Sequence, residues 1–290
     1  MRHFRHFIAI DWSGAKGPRQ KGIALAIADA AGGPPVLVRH LWSRQEVLSV
    51  LRDALPPDTL VELDLGIALP FADCGAYFPG WPDSPPDAPA LWALVDRIAQ
   101  GEPHLGANSL VADRALRPYF RDGVETGPHF RCDGAMHGRG RFRITEHAQA
   151  AMGCKPYSNF NLVGAAQVGK SSLTGMRMLH RLRGDLPVWP VDPLPQSGSV
   201  LVEIYTSLAA LDAGRTAARA KMRGHAELNA ALERLGSPAA KGQGPIDDHS
   251  SDALLTAAWL RWTAQDPRRW SPAALTPEIA RTEGWTFGAL

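Results

Sequence analysis

The chain has 290 residues, 45% of them hydrophobic, and a formal net charge of +2. This composition suits a soluble globular protein with a sizeable core, arranged as one large domain or two small ones. Near-balanced charge excludes a global field drawing the chain to nucleic acid, so any such binding must use local basic patches. The odd number of widely spaced cysteines, Cys74, Cys132 and Cys154, argues against a disulfide framework and for a reducing compartment.

In chain order, FIAID (7–11), GIALAIA (22–28) and VLVRHLW (36–42) read as three short strands separated by glycine-rich turns, that is, two successive hairpins. The first run is stopped by Asp11, far short of a signal-peptide or membrane-spanning core, which predicts a cytoplasmic protein without a membrane partner. SRQEVLSVLRDAL follows, with Ser43 and Glu46 as a capping box and apolar residues at helical spacing. TLVELDLGIALP supplies a fourth strand, placing Glu62 and Asp64 on one face and Val61, Leu63 and Leu65 on the other.

Residues 71 to 160 are rich in proline and glycine and show no clean period, so they read as a largely irregular insertion that carries function or covers a site. A helix is predicted from Ser171 to about Arg183, then a strand in VLVEIYTS (200–207). Three helical stretches follow: RTAARAKMR, then HAELNAALERL closed by Gly236, then DDHSSDALLTAAWLRW. The tail, 267–290, is expected to lie along the surface. With the irregular insertion (71–160) removed, the order is β-β-β-α-β-α-β-α, that of a single α/β domain with a ribonuclease H-like mixed sheet and helices on both faces, in which insertion and cap together span 71–195.

In that topology the acidic strand and helix ends converge. Asp11 ends the first strand, Asp64 the fourth, and Asp248 and Asp252 lie one turn apart on the last helix. Such a cluster needs cations to offset its repulsion, and Mg²⁺ or Mn²⁺ prefers oxygen ligands. Two ions roughly 3.5–4 Å apart stabilise both the attacking and the leaving oxygen of a phosphodiester displacement. Each residue also has a plainer role, as a turn former or a helix-start carboxylate favoured by the dipole. Glu203 interrupts an apolar strand, so a metal, basic or hydrogen-bonding partner is expected for it.

The stretches IAIDWSGAKG (8–17), LDLGIALP (63–70), FRITE (142–146), VLVEIY (200–205), DDHSSDALLTAAW (247–259) and EGWTFG (283–288) together resemble the domain of unknown function 429 family, described as predicted nucleases of ribonuclease H-like fold. The resemblance spans nearly the whole chain and implies a metal-dependent site at Asp11, Asp64, and Asp248 or Asp252, with Glu203 contributing. One departure is Gly66, two residues after the second carboxylate, where proline is common.

LVGAAQVGKSSLTG (162–175) also fits the phosphate-loop pattern at Gly164, Gly169, Lys170 and Ser171. A nucleotide-hydrolysing loop needs a buried strand before it, and YSNFNLV is too polar for one; close packing by small residues is the plainer explanation. The favoured reading makes the loop and following helix a phosphate-contacting surface through Lys170 and Arg177. Arg139, Arg141 and Arg143, alternating along an extended segment, would follow a phosphate chain, and Lys16 in the glycine-containing turn after the first strand adds another cation. Cys132, His137, His147 and Cys154 are of zinc-ligand type, but their spacing matches no standard pattern.

The expected function is a nuclease that uses Mg²⁺ or Mn²⁺ and acts on DNA or RNA, with Asp11, Asp64, Glu203, Asp248 and Asp252 as the catalytic carboxylates. The alternatives are a nucleotide-hydrolysing protein working through the phosphate-loop-like segment, or a nucleic-acid-binding module without turnover.

Overall fold

The computed structural model describes residues 3–132, 139–164, 167–216 and 221–290. Eight strands, His6–Asp11 (β1), Ala24–Asp29 (β2), Val36–Val38 (β3), Thr59–Leu63 (β4), Arg121–Asp122 (β5), Glu125–Thr126 (β6), Val188–Trp189 (β7) and Val200–Glu203 (β8), form a six-stranded sheet in the order β3-β2-β1-β4-β8-β7 and a separate β5-β6 hairpin. The sheet is mixed. β2 runs antiparallel to β1 and β3, whereas β4 is parallel to β1 and β8, and β7 is parallel to β8.

Alternation along the strands builds a core on each face of this sheet. Ile8, Ile10, Val61, Leu63 and Leu201 face one way, toward helices Arg44–Asp53 (α1), Ala88–Ile98 (α2) and, beyond the short Asn108–Ala112 (α3) and Ile144–Ala151 (α4), Val168–Arg181 (α5). Phe7, Ala9, Leu60, Val200 and Val202 face the other way, toward Thr206–Asp212 (α6), His225–Arg234 (α7) and Asp248–Thr263 (α8), which lies across β1 and β2. The short Pro267–Trp270 (α9) and Pro277–Thr282 (α10) complete the chain. No described helix is long and apolar enough to cross a membrane.

Local rules hold where they were strongest. Ser43 accepts from Glu46 N and Glu46 accepts from Ser43 N, the reciprocal cap expected for α1. The structure differs in three places. The insertion is less irregular than its proline content suggests: Asp87 caps α2, Pro89 sits in its first turn, Leu91, Trp92 and Val95 are buried, and α2 packs against α5. The basic stretch 215–223 includes residues outside the described set, and its described flanks are not helical. The end of the tail does not lie on the surface: residues 282–289, Trp285 and Phe287 among them, are buried, whereas most of 267–281 is exposed or half-buried, and Phe287 N donates to Glu203 O at 2.8 Å. Burying two large aromatic rings and pairing the last residue of β8 through the Glu203–Thr286 bridge outweighs leaving the segment in solvent.

Candidate functional site

The three parallel strands β1, β4 and β8 finish at one edge of the sheet, which is where open α/β sheets usually bind ligands. Asp11 is the last residue of β1, Asp64 the first after β4, and Glu203 the last of β8. Asp64 is placed by its backbone N–H, which donates to Ile10 O at 3.1 Å, and its Oδ2 accepts from Thr206 Oγ1 at 2.9 Å. α8 brings His249 Nδ1 to 2.7 Å from Asp11 Oδ2 and sets Asp252 beside both carboxylates.

These groups repel one another out of water. Burial, with the Asp11 charge next in weight, pushes Asp64 up to about 7. Burial and then the Asp11 and Asp64 charges push Asp252 up to about 8. Burial also raises Asp11, against the lowering effect of its His249 hydrogen bond, and that same bond raises His249. Glu62 deepens the effect: it is 1% exposed on the same face as Asp64, its Oε1 accepts from Ile10 N at 2.9 Å, and its Oε2 has no hydrogen-bond partner among the described residues. Burial followed by the Asp64 and Asp11 charges drives its carboxyl well above the ordinary range. The two remaining acids of α8 are otherwise engaged. Asp247 caps the helix through Ser250 N, and Asp248 pairs with Lys221 Nζ at 2.7 Å. Of the pair of candidates on this helix, Asp252 is therefore the one that joins Asp11 and Asp64.

Glu203 has the basic partner its position demanded. Its Oε1 accepts from Arg143 Nη2 at 2.5 Å and from Thr286 Oγ1, and its Oε2 accepts from Arg143 Nη1 at 2.8 Å and Ile67 N at 2.7 Å. With both oxygens so occupied it is a structural anchor, a correction to its expected catalytic role. Arg143 also binds Glu146 at 2.6 Å and Glu283 O at 3.0 Å and is 1% exposed, so it cannot follow a phosphate chain.

Two further cations are corrected for the same reason. Arg141 is fully buried, gripping Asp73 through Nε and Nη2 at 2.8 and 2.6 Å and bonding three carbonyls of residues 70–77. Arg177 is fully buried against Asp96 at 2.9 Å and Gly106 O at 2.5 Å. A buried guanidinium needs such partners, and once made they remove it from the surface. Arg139 is exposed, over the ring of Tyr157, and Lys16 and Lys170 form no ion pair among the described residues.

A cavity of about 480 Å³ joins these parts, lined by Asp64, Glu203, His249, Lys170 and Ser171 together with Trp12 to Ala15. The phosphate-loop-like segment thus opens onto the carboxylate edge, although Ala165 and Ala166 lie outside the described residues. Its surroundings are not those of a nucleotide-hydrolysing loop. Among the described residues immediately before it there is no strand, only an isolated bridge from Asn161 to Arg121. Gly169 N donates to Asn161 O at 3.1 Å, and a Cβ there would lie 2.4 Å from Asn159 O, so this glycine serves close packing. Gly66 has a comparable reason to depart from proline. Its N–H donates to Ser172 Oγ at 3.1 Å, a bond proline cannot make, and a Cβ would meet Asn159 Nδ2 at 2.1 Å.

The fit of the site to a divalent cation rests on its donors. Asp11, Asp64 and Asp252 are hard oxygen ligands with too little positive charge around them, the environment Mg²⁺ or Mn²⁺ satisfies. Their oxygens are not gathered within 4.8 Å of one another; among the described residues only Asp73, Cys74 and Cys132 are. Cys132 therefore sits with Asp73 and Cys74 and not with His147 and Cys154, while His137 lies outside the described residues. Sequence reasoning set Glu62 on the right face without placing it in the site, and passed over His249, whose signal was a titratable ring between two acids at the start of α8. No family model, curated protein or solved structure matches the chain.

Proposed function

We propose that the sheet is ribonuclease H-like and that the protein is a divalent-metal-dependent nuclease, acting on DNA or RNA in the cytoplasm. Supporting the fold reading are the order β3-β2-β1-β4-β8, the reversed β2, and α8 packed across β1 and β2. The family resemblance of the sequence motifs points the same way.

The observation that carries the function is the triad of Asp11, Asp64 and Asp252. They come from two strand ends and a helix; burial raises all three carboxyls, and repulsion by neighbouring carboxylates raises Asp64 and Asp252 further. Mg²⁺ or Mn²⁺ bound there would supply an activated water and charge stabilisation for a phosphodiester. Asp11 and Asp64 would hold the cation from the sheet edge and Asp252 from α8. His249 keeps Asp11 Oδ2 fixed, and Lys170 and Lys16 give positive charge to the approach.

Isothermal titration of Mn²⁺ into the wild type and Asp11→Asn, paired with cleavage assays on single- and double-stranded DNA and RNA, tests this. Metal binding and metal-dependent cleavage, both lost in the variant, are expected. Cleavage indifferent to chelator, or Mn²⁺ binding unchanged by the substitution, overturns the reading.

A further inference from the structure

A second cavity, of about 500 Å³, lies against the first; the two share Gly14, Ala15 and Lys170 as lining. Its walls also include Lys16, Arg44, Glu102, His104, Arg117 and Asp122. Arg44 is unusual among the buried cations of this protein. It is 2% exposed, and its guanidinium bonds only carbonyl oxygens: His104 O at 2.8 Å from Nε, and Ser13 O at 2.8 Å and Ala15 O at 3.0 Å from Nη1. Arg141, Arg143 and Arg177 each grip a carboxylate, whereas Arg44 has none among the described residues.

The acids in this cavity are committed elsewhere or remote in role. Glu102 caps α3, accepting from Asn108 N at 2.9 Å, Asn108 Nδ2 at 2.8 Å and Ser109 N, and Asp122 belongs to the exposed β5-β6 hairpin. Arg117 pairs with Glu125. The side chains of Lys16 and Lys170 form no ion pair or hydrogen bond among the described residues. A buried guanidinium whose Nη2 has no hydrogen-bond partner among the described residues, beside two ammonium groups without ion pairs there, is a preformed receptor for a tetrahedral oxyanion, since guanidinium matches phosphate geometry and its desolvation cost has been met in folding. Burial, reinforced by the like charge of Arg177, lowers Arg44 to about 10, the direction expected of a cation awaiting an anion.

We propose that this cavity is a phosphate subsite, in which Arg44, Lys16 and Lys170 bind a backbone phosphate of a nucleic-acid strand whose neighbouring phosphodiester lies at the carboxylate edge. The assignment to a strand rests on the nuclease reading above; the phosphate chemistry does not. The wall of Gly14 and Ala15 separates the two positions, and Lys170 reaches both. Arg44 also ties that wall to residue 104, so an occupied subsite would fix the loop that borders the carboxylates.

The test is binding measured in chelator, with inorganic phosphate and with a tetrathymidylate lacking terminal phosphates, to the full chain and to two variants. Arg44→Met removes the buried charge, and Lys16→Ala with Lys170→Ala leaves every Arg44 bond intact should Arg44→Met fold poorly. Both probes should bind the wild type, the oligonucleotide more tightly, and either variant should weaken both by about ten-fold or more. The double lysine variant should also lower the slope of log affinity against log salt by about 1.4, since each single-strand phosphate contact contributes about 0.7. Tighter binding of free phosphate than of the oligonucleotide would assign the subsite to a phosphomonoester and overturn the backbone assignment. Absence of saturable binding, or binding equal in the folded variants, overturns the subsite altogether. Because no metal is present, subsite binding without Mn²⁺-dependent cleavage would sink the nuclease reading alone, and cleavage without this binding would sink the subsite alone.

Discussion

Two groups of carboxylates stand side by side at the end of the same sheet, and the chain treats them in opposite ways. Around Glu203, Glu146 and Glu283 it supplies Arg143, backbone N–H groups and Thr286, so that the oxygens of Glu203 and Glu283 are all occupied. Around Asp11, Asp64 and Asp252 it supplies one half-exposed histidine, one hydroxyl, the backbone N–H groups of Trp12 and Thr206 and, at a distance, Lys221, which is already paired with Asp248. The first group needs nothing from outside and locks the insertion to the C-terminal segment. The second retains unsatisfied negative charge beside a cavity, which is the condition of a binding site.

The largest effect should come from breaking the complete group. Arg143→Met would strand Glu203 and Glu146 in the core and cost about 3–5 kcal/mol, the usual penalty for removing one partner of a buried ion pair. Asp252→Asn should do the reverse in metal-free protein, raising stability by roughly 1 kcal/mol or more at pH 8, because it removes a charge that burial disfavours. Urea denaturation of both variants decides the matter. If both destabilise to a similar degree, the distinction between a structural and a ligand-seeking group is wrong.

Next in size is the effect of metal. A cation bound to the folded protein alone at a hundred times its dissociation constant adds about 2.7 kcal/mol. Mn²⁺ should therefore raise the melting temperature of the wild type but not of Asp11→Asn or Asp64→Asn. A similar rise in Glu203→Gln measured against its own metal-free form would confirm that Glu203 stands outside the cation site.

The acidity of the two groups sharpens the comparison further. Asp64 and Asp252 rise from 3.8 to about 7 and about 8, so between those limits the folded state holds protons that the unfolded chain has released. The stability they confer is complete below pH 3.8 and is lost as pH rises through 7 and 8. Metal-free protein should weaken over that range, and Asp252→Asn should flatten the profile. Glu146 contributes in the same sense: burial pushes it to about 7 despite Arg143, since one guanidinium serves two carboxylates and the group keeps a proton on Glu146. Glu146→Gln should accordingly be mild at neutral pH, far milder than Arg143→Met. A profile that rises from pH 4 to pH 8 would contradict this account of both groups.

Much of this division could be read from local pattern. The strand ends at Asp11 and Asp64, the capping box of α1 and the out-of-place Glu203 are signals within ten residues, and each holds in the fold. What could not be read was pairing at long range. Arg143 meets Glu203 60 residues away and Glu283 O 140 away, and nothing in the alternation of Arg139, Arg141 and Arg143 shows that the last two turn inward. The buried tail did leave a trace, Trp285 and Phe287 two apart, but proline nearby outweighed it in a reading by composition. α2 was hidden in the same way by the prolines before it.

The smallest expected effect bears on the one side chain that touches the open group directly. His249 holds Asp11 Oδ2 at 2.7 Å, yet its side chain is 46% exposed. An ion pair so accessible to water contributes little, and His249→Ala should cost within about 1 kcal/mol of stability. Its consequence for the cation should be larger than its consequence for the fold. With His249 gone, Asp11 loses the hydrogen bond that counters its burial, so its proton is held more tightly and must be displaced when a cation binds. Mn²⁺ affinity at pH 6 should then fall more than at pH 8, since rising pH eases the loss of that proton. Equal losses at both pH values would mean that the histidine acts on the cation by position and not through the proton of Asp11.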